Sequence, residues 1–120
     1  PEAAVLDALG GQIERVCQKL ARPCAVRVTE TFGRPPCMFP KPIVDTIERS
    51  AEALHISHMR LPSGAFHDAN FIADLAPTGM IFVPCERGIS HNPAESAKPE
   101  DLAAGTRVLV ASLVELAGAA

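Results

Sequence analysis

Two histidines stand out among the side chains of this 120-residue chain that could bind a metal or move a proton. His67 lies in the polar turn Pro62-Ser-Gly-Ala-Phe-His-Asp-Ala-Asn70, and His91 in Gly88-Ile-Ser-His-Asn-Pro-Ala-Glu95. An apolar stretch ending at Pro84-Cys85 separates them. Neutral imidazole is the commonest metal ligand, and its second nitrogen is usually oriented by a carboxylate or carbonyl. His91 therefore reads either as a ligand with Glu95 behind it in the second shell, or as a surface-loop histidine. His67 follows Ser63, Gly64, Ala65 and Phe66, and would donate a hydrogen bond to a substrate oxygen through its ring or through adjacent amides. The alternative is a residue that merely starts a helix. His55 and His58 sit where a helix gives way to another element, which would spoil a shared metal site, and they read as structural.

The remaining chemistry is defined by exclusion. A catalytic zinc usually has three protein ligands, and a two-metal site has more. This chain has one convincing ligand and no His-x-Asp, paired-glutamate or His-Glu-x-x-His element. Phosphate-loop spacing and a serine nucleophile elbow are also absent. Cys17, Cys24, Cys37 and Cys85 contain no Cys-x-x-Cys pair and read as reduced small hydrophobes.

The elements that must carry these turns follow from periodicity. Val5, Leu6, Leu9, Ile13, Val16 and Leu20 repeat at helical spacing, closed by Arg22-Pro23. Residues 24–32 alternate like a half-buried strand. Four prolines between Gly33 and Pro42 exclude helix and central strand, and mark a domain boundary. Pro42 then opens a helix with Ile43, Val44, Ile47, Ala51 and Leu54 on its apolar face. A short strand is expected over 56–61, a helix over 67–76, and a strand buried on both faces over 79–83. A long loop precedes a last helix that begins Pro99-Glu100-Asp101, acidic where the helix dipole is positive. The fold class is thus α/β, with an α+β piece first. A sheet of this kind gathers ligands at the carboxyl ends of its strands, where His91 falls.

A net charge of −3 gives no electrostatic reason to bind nucleic acid, and no apolar run approaches the roughly 20 residues of a membrane span. With no secretory signal, a cytoplasmic protein is expected. The chain opens at Pro1 without a methionine, so a piece of a longer polypeptide is expected.

Four segments carry a resemblance: Leu61-Pro-Ser-Gly-Ala-Phe-His-Asp-Ala69, Pro77-Thr-Gly-Met-Ile-Phe-Val-Pro-Cys85, Gly88-Ile-Ser-His-Asn-Pro-Ala-Glu95 and Pro99-Glu-Asp-Leu102. In order and spacing they resemble the C-terminal part of the N-carbamoyl-L-amino-acid hydrolases. Allantoate amidohydrolase, ureidoglycolate amidohydrolase and β-alanine synthase belong to that group, within the aminoacylase-like dinuclear metal hydrolases. The resemblance implies a homodimer whose zinc-exopeptidase-like catalytic domain is interrupted by a ferredoxin-like lid. Residues 1–39 would be the last helix and strand of the lid, and residues 40–120 the C-terminal portion of the catalytic domain.

The resemblance further implies that His91 is the final metal ligand and that His67 faces the substrate, beside the backbone of residues 63–66. Phe66 stands where the family usually has glycine. Two zinc or manganese ions are implied, with a small carbamoyl or ureido compound as substrate. The family's other metal ligands, its base glutamate and its carboxylate-binding arginine all precede this stretch, so the isolated chain is expected to be inactive and prone to aggregate. A non-catalytic assembly domain that retains the scaffold is the alternative, and a peptide-cleaving relative of the same clan is a third.

Overall fold

The computed structural model describes residues 2–118 and divides into two compact units between Met38 and Phe39. The first unit contains α1 (Ala3–Leu20). Its apolar stripe forms as the spacing requires, yet none of its residues is buried, and Ile13 and Leu20 are 56% and 75% exposed. Beyond α1 the chain turns and then runs irregularly to Pro40.

The second unit is built on α2 (Lys41–Ala53) and α4 (Pro99–Leu116), which pack against each other. Both begin with proline in the first turn, where a missing amide hydrogen costs nothing. Their contact is made by small side chains: Thr46, Ser50 and Ala51 on α2, and Val108 and Ser112 on α4, are buried. Ser112 satisfies its buried hydroxyl by donating to the Val108 carbonyl, 2.8 Å away. The Arg49 guanidinium bonds both the Thr46 hydroxyl and the Glu115 carboxylate, tying the helices together at the edge of that contact. On the α2 surface Arg60 bridges Asp45 and Glu48, and Lys41 also pairs with Asp45.

α2 stops through a Schellman motif. The His55 amide donates to the Glu52 carbonyl and the Ile56 amide to the Ala51 carbonyl, with His55 at φ 56° in the position that usually takes glycine. His58 donates through Nδ1 to the Ile56 carbonyl at 2.9 Å. Both histidines therefore serve the helix end.

Among the described residues no strand is present. The segments expected as strands, 24–32, 56–61 and 79–83, run as irregular chain without a ladder between them. A strand exists only by pairing its main chain with a neighbour, and these three do not pair with one another. The expected α/β class is not seen among the described residues, whose regular elements are all helical. The 79–83 segment still lies where a helix-backed strand would. A Cβ at Gly79 would come within 2.8 Å of Ile43 and Ile47 on α2, and one at Gly105 of α4 within 2.5 Å of Val83. Two glycines therefore let this segment approach both helices, while Phe82 remains 48% exposed. It is covered by helix but not buried on two faces.

The helix expected over 67–76 is regular only as α3 (Ala69–Ile72). Mixed i→i−3 and i→i−4 bonds, such as Phe71 and Ile72 amides to the Asp68 carbonyl and Leu75 to Ile72, carry the coil on to Ala76 before Pro77.

Candidate active site

The turn before α3 is organised by one hydroxyl. Ser63 Oγ receives the Ala65 amide at 3.1 Å, lies 3.2 Å from the Ala65 carbonyl, and sits 2.8 Å from His67 Nε2. Serine closes such turns by hydrogen-bonding the main chain two residues on. The backbone at Gly64 is open, since a Cβ there would meet nothing within 4 Å. Ala65 is exposed, and the Phe66 ring packs edge-on against Phe71 of α3, with centroids 5.2 Å apart.

His67 is half-buried, its ring tilted against Phe82 with centroids 5.4 Å apart. That contact joins the turn to the 79–83 segment, so the ring rests on the chain that leads to His91. His91 is exposed, and its ring centroid lies 6.3 Å from that of His67, with the planes at 44°. The two imidazoles are thus neighbours, one from each loop.

The loop bearing His91 is bound to itself. The Glu86 amide donates to the Ser96 carbonyl at 2.6 Å across its mouth. Inside, Asn92 accepts from the Glu95 amide through its carbonyl and from the Ala94 amide through Oδ1, each at 2.9 Å. His91 has φ 54°, a left-handed conformation uncommon for a residue with a side chain. Glu95 Oε2 accepts the His91 main-chain amide at 2.8 Å, so its carboxylate grips the backbone of His91. The other oxygen, Oε1, accepts from Cys85 Sγ at 3.7 Å. Partial burial, followed by the Glu95 charge and that bond, pushes the Cys85 thiol above its usual pKa. A protonated thiol is a poor nucleophile, which leaves Cys85 a structural role.

Among the described residues no group of three or more histidine, cysteine or acidic side chains could enclose a metal. The donor set is partial: His91 offers one exposed imidazole, and Glu95, occupied by an amide, does not compete for it. These residues fit a single ligand position of a metal site. Sequence reasoning missed Phe82 as the platform for His67 and Ser63 as its partner. The four-residue spacing of Ser63 and His67 was the only available signal for the second.

The two imidazoles stand on loops on either side of a segment that contacts helices, and comparison with known proteins supplies a family. Residues 4–115 match the model of the peptidase family M20/M25/M40. The chain belongs to that family, and is similar to several amidohydrolases within it. It is 40% identical over 121 residues to an N-carbamoyl-L-amino-acid amidohydrolase of Rhizobium meliloti, covering 98% of this chain and 29% of that protein. It is 34% identical over 120 residues to the allantoate amidohydrolase of Escherichia coli K12, covering 97% of this chain and 29% of the relative. A crystal structure of an amidase of the hydantoinase/carbamoylase family from Burkholderia vietnamiensis superposes with a TM-score of 0.78 at 34% identity, over 96% of this chain and 28% of that one. The chain thus spans less than a third of the length of these relatives.

Proposed function

We propose that this chain forms the C-terminal part of the active site of a divalent-metal-dependent amidohydrolase, which cleaves the carbamoyl or ureido C–N bond of an N-carbamoyl amino acid or a ureide. The observation that carries this reading is the convergence of His67 and His91, 6.3 Å apart, on two loops of one unit. His91 would hold one of two zinc or manganese ions, and the remaining ligands would come from polypeptide beyond these residues. Bound metal supplies a water acidic enough to attack at neutral pH and a polarised carbonyl. His67 donates to a substrate oxygen, and the open main chain from Gly64 to Phe66 faces the substrate carboxylate. Glu95 fixes the backbone of His91 through its main-chain amide.

In this reading the first unit is the end of a lid through which a cytoplasmic homodimer assembles. No helix among the described residues is long and apolar enough to cross a membrane, which accords with it. The 120 residues alone are inactive.

The test uses the longest polypeptide that carries this sequence, loaded with zinc or manganese. Ammonia release is measured on N-carbamoyl amino acids, allantoate and ureidoglycolate, with dipeptides alongside. Turnover of a carbamoyl or ureido compound, lost together with bound metal in His91→Ala, is expected. Cleavage of dipeptides alone would move the protein to the peptide-cleaving branch, and full metal loading without any turnover would make it an assembly domain.

A further inference from the structure

We propose that Ser63 is a positioning residue that fixes the tautomer of His67, so that the ring meets its substrate as a donor through Nδ1–H. This deepens the preceding reading by assigning the proton on the ring that faces substrate. The serine hydroxyl has one proton and two possible acceptors. His67 Nε2 lies at 2.8 Å, within the ordinary range for an O–H donor, whereas the Ala65 carbonyl is at 3.2 Å, long for such a bond.

The Ala65 amide donates to the same oxygen at 3.1 Å, which strengthens that hydroxyl as a donor. In the proposed arrangement the proton goes to Nε2, the nearer acceptor; given instead to the Ala65 carbonyl, it would leave Nε2–H to donate to Ser63 and reverse the tautomer. A neutral imidazole that accepts at one nitrogen carries its hydrogen on the other, so Nδ1 is protonated. This is the minority tautomer of a free histidine side chain, and the turn selects it. Phe82 holds the ring plane at 5.4 Å while Ser63 holds its edge, leaving rotation about neither axis free. An Nδ1–H suits a carbonyl or carboxylate oxygen and disfavours a ligand that itself donates at that point.

The experiment is nitrogen-15 NMR of the His67 side chain in the longest polypeptide that carries this sequence, at a pH where the ring is neutral. It needs neither metal nor substrate, so its failure is separate from failure of the carbamoyl reading. Wild type is expected to show the Nδ1-protonated tautomer in majority. Ser63→Ala should revert His67 to the Nε2-protonated form, and Ser63→Thr, which keeps a hydroxyl, should restore the wild-type pattern. A cross-relaxation contact between Phe66 and Phe71, retained in all three, shows that the turn is still formed. An Nε2-protonated majority in wild type overturns the proposal whatever the variants do. An unchanged tautomer in a folded Ser63→Ala variant overturns it equally.

Discussion

Single atoms decide how His91 is presented. His91 adopts φ 54°, and its amide is held there by a charge-assisted bond to Glu95. The consequence divides two substitutions that are close in shape. Glu95→Gln keeps an oxygen able to accept the amide, whereas Glu95→Ala leaves the amide to water and the backbone free to relax to negative φ. In the longest polypeptide that carries this sequence, and on the proposed role of His91, metal affinity measured by titration should fall about 10–100-fold in Glu95→Ala, the usual cost of losing a residue that orients a ligand. It should fall much less in Glu95→Gln. Equal losses would mean that Glu95 works through its charge.

Little of this was legible beforehand. His67, His91 and Glu95 could be picked out by type and spacing, but the motif suggested a carboxylate behind the His91 ring, and the carboxylate bonds the main chain instead. Nothing in the sequence near His91 announces a left-handed backbone at that residue.

At the scale of elements, the helices were legible because their periodicity is internal to each one. Strand pairing was not, because it depends on partners that pattern alone does not supply. The apolar run over 79–83 reads as a strand buried on both faces; it is instead an irregular segment in contact with helices, and the reason lies in two residues that pattern reading treats as weaknesses. Gly105 sits inside α4, where alanine would ordinarily be favoured by about 1 kcal/mol. Yet an added methyl would lie 2.5 Å from Val83 Cγ1, and overpacking of this kind costs about 1–3 kcal/mol. The steric effect should win. Gly105→Ala is expected to lower stability by about 1 kcal/mol in urea denaturation. In a Val83→Ala background the same change should become neutral or stabilising, because the clashing atom is gone. A double-mutant cycle reads this sign reversal directly. If Gly105→Ala is stabilising in the wild-type background, the close approach of segment to helix is not as described. The helix over 67–76 was overestimated for a different reason. Apolar spacing marked the right span, but the run before Pro77 is too short to outweigh the looser i→i−3 bonding that its turns adopt.

For the molecule as a whole, the balance of buried and exposed surface matters most. Ala51 and Val108 are the buried apolar residues among those described, whereas Leu109, Val110, Leu113 and Val114 on α4 are each between 46% and 56% exposed. Exposed apolar area of this kind on one helix favours association. The isolated chain is expected to self-associate with rising concentration in light scattering and to bind a hydrophobic dye. A monomer that melts sharply and ignores the dye would contradict this.

Charge gives a second global expectation. Hydrogen bonds from Lys41 and then Arg60 hold the Asp45 carboxyl below its ordinary pKa, and one from Arg60 does the same for Glu48. A carboxylate with a lowered folded pKa contributes stability that is complete above its unfolded value of about 4 and disappears as pH falls through the folded one. Stability should therefore decline as the solution is acidified below about pH 4.5. The decline should be shallower in Arg60→Met, where the cause of both shifts is weakened. Both carboxylates are partly solvated, so the effect should also shrink in high salt.

The loop from Cys85 to Ser96 closes with its own bonds, mouth and interior alike. Its shape is therefore portable. Joined end to end as a small ring, those twelve or so residues would carry the arched backbone at His91 into a setting with no helices around it. An evolving scaffold could gain or lose such a cassette in one step, with the imidazole already aimed.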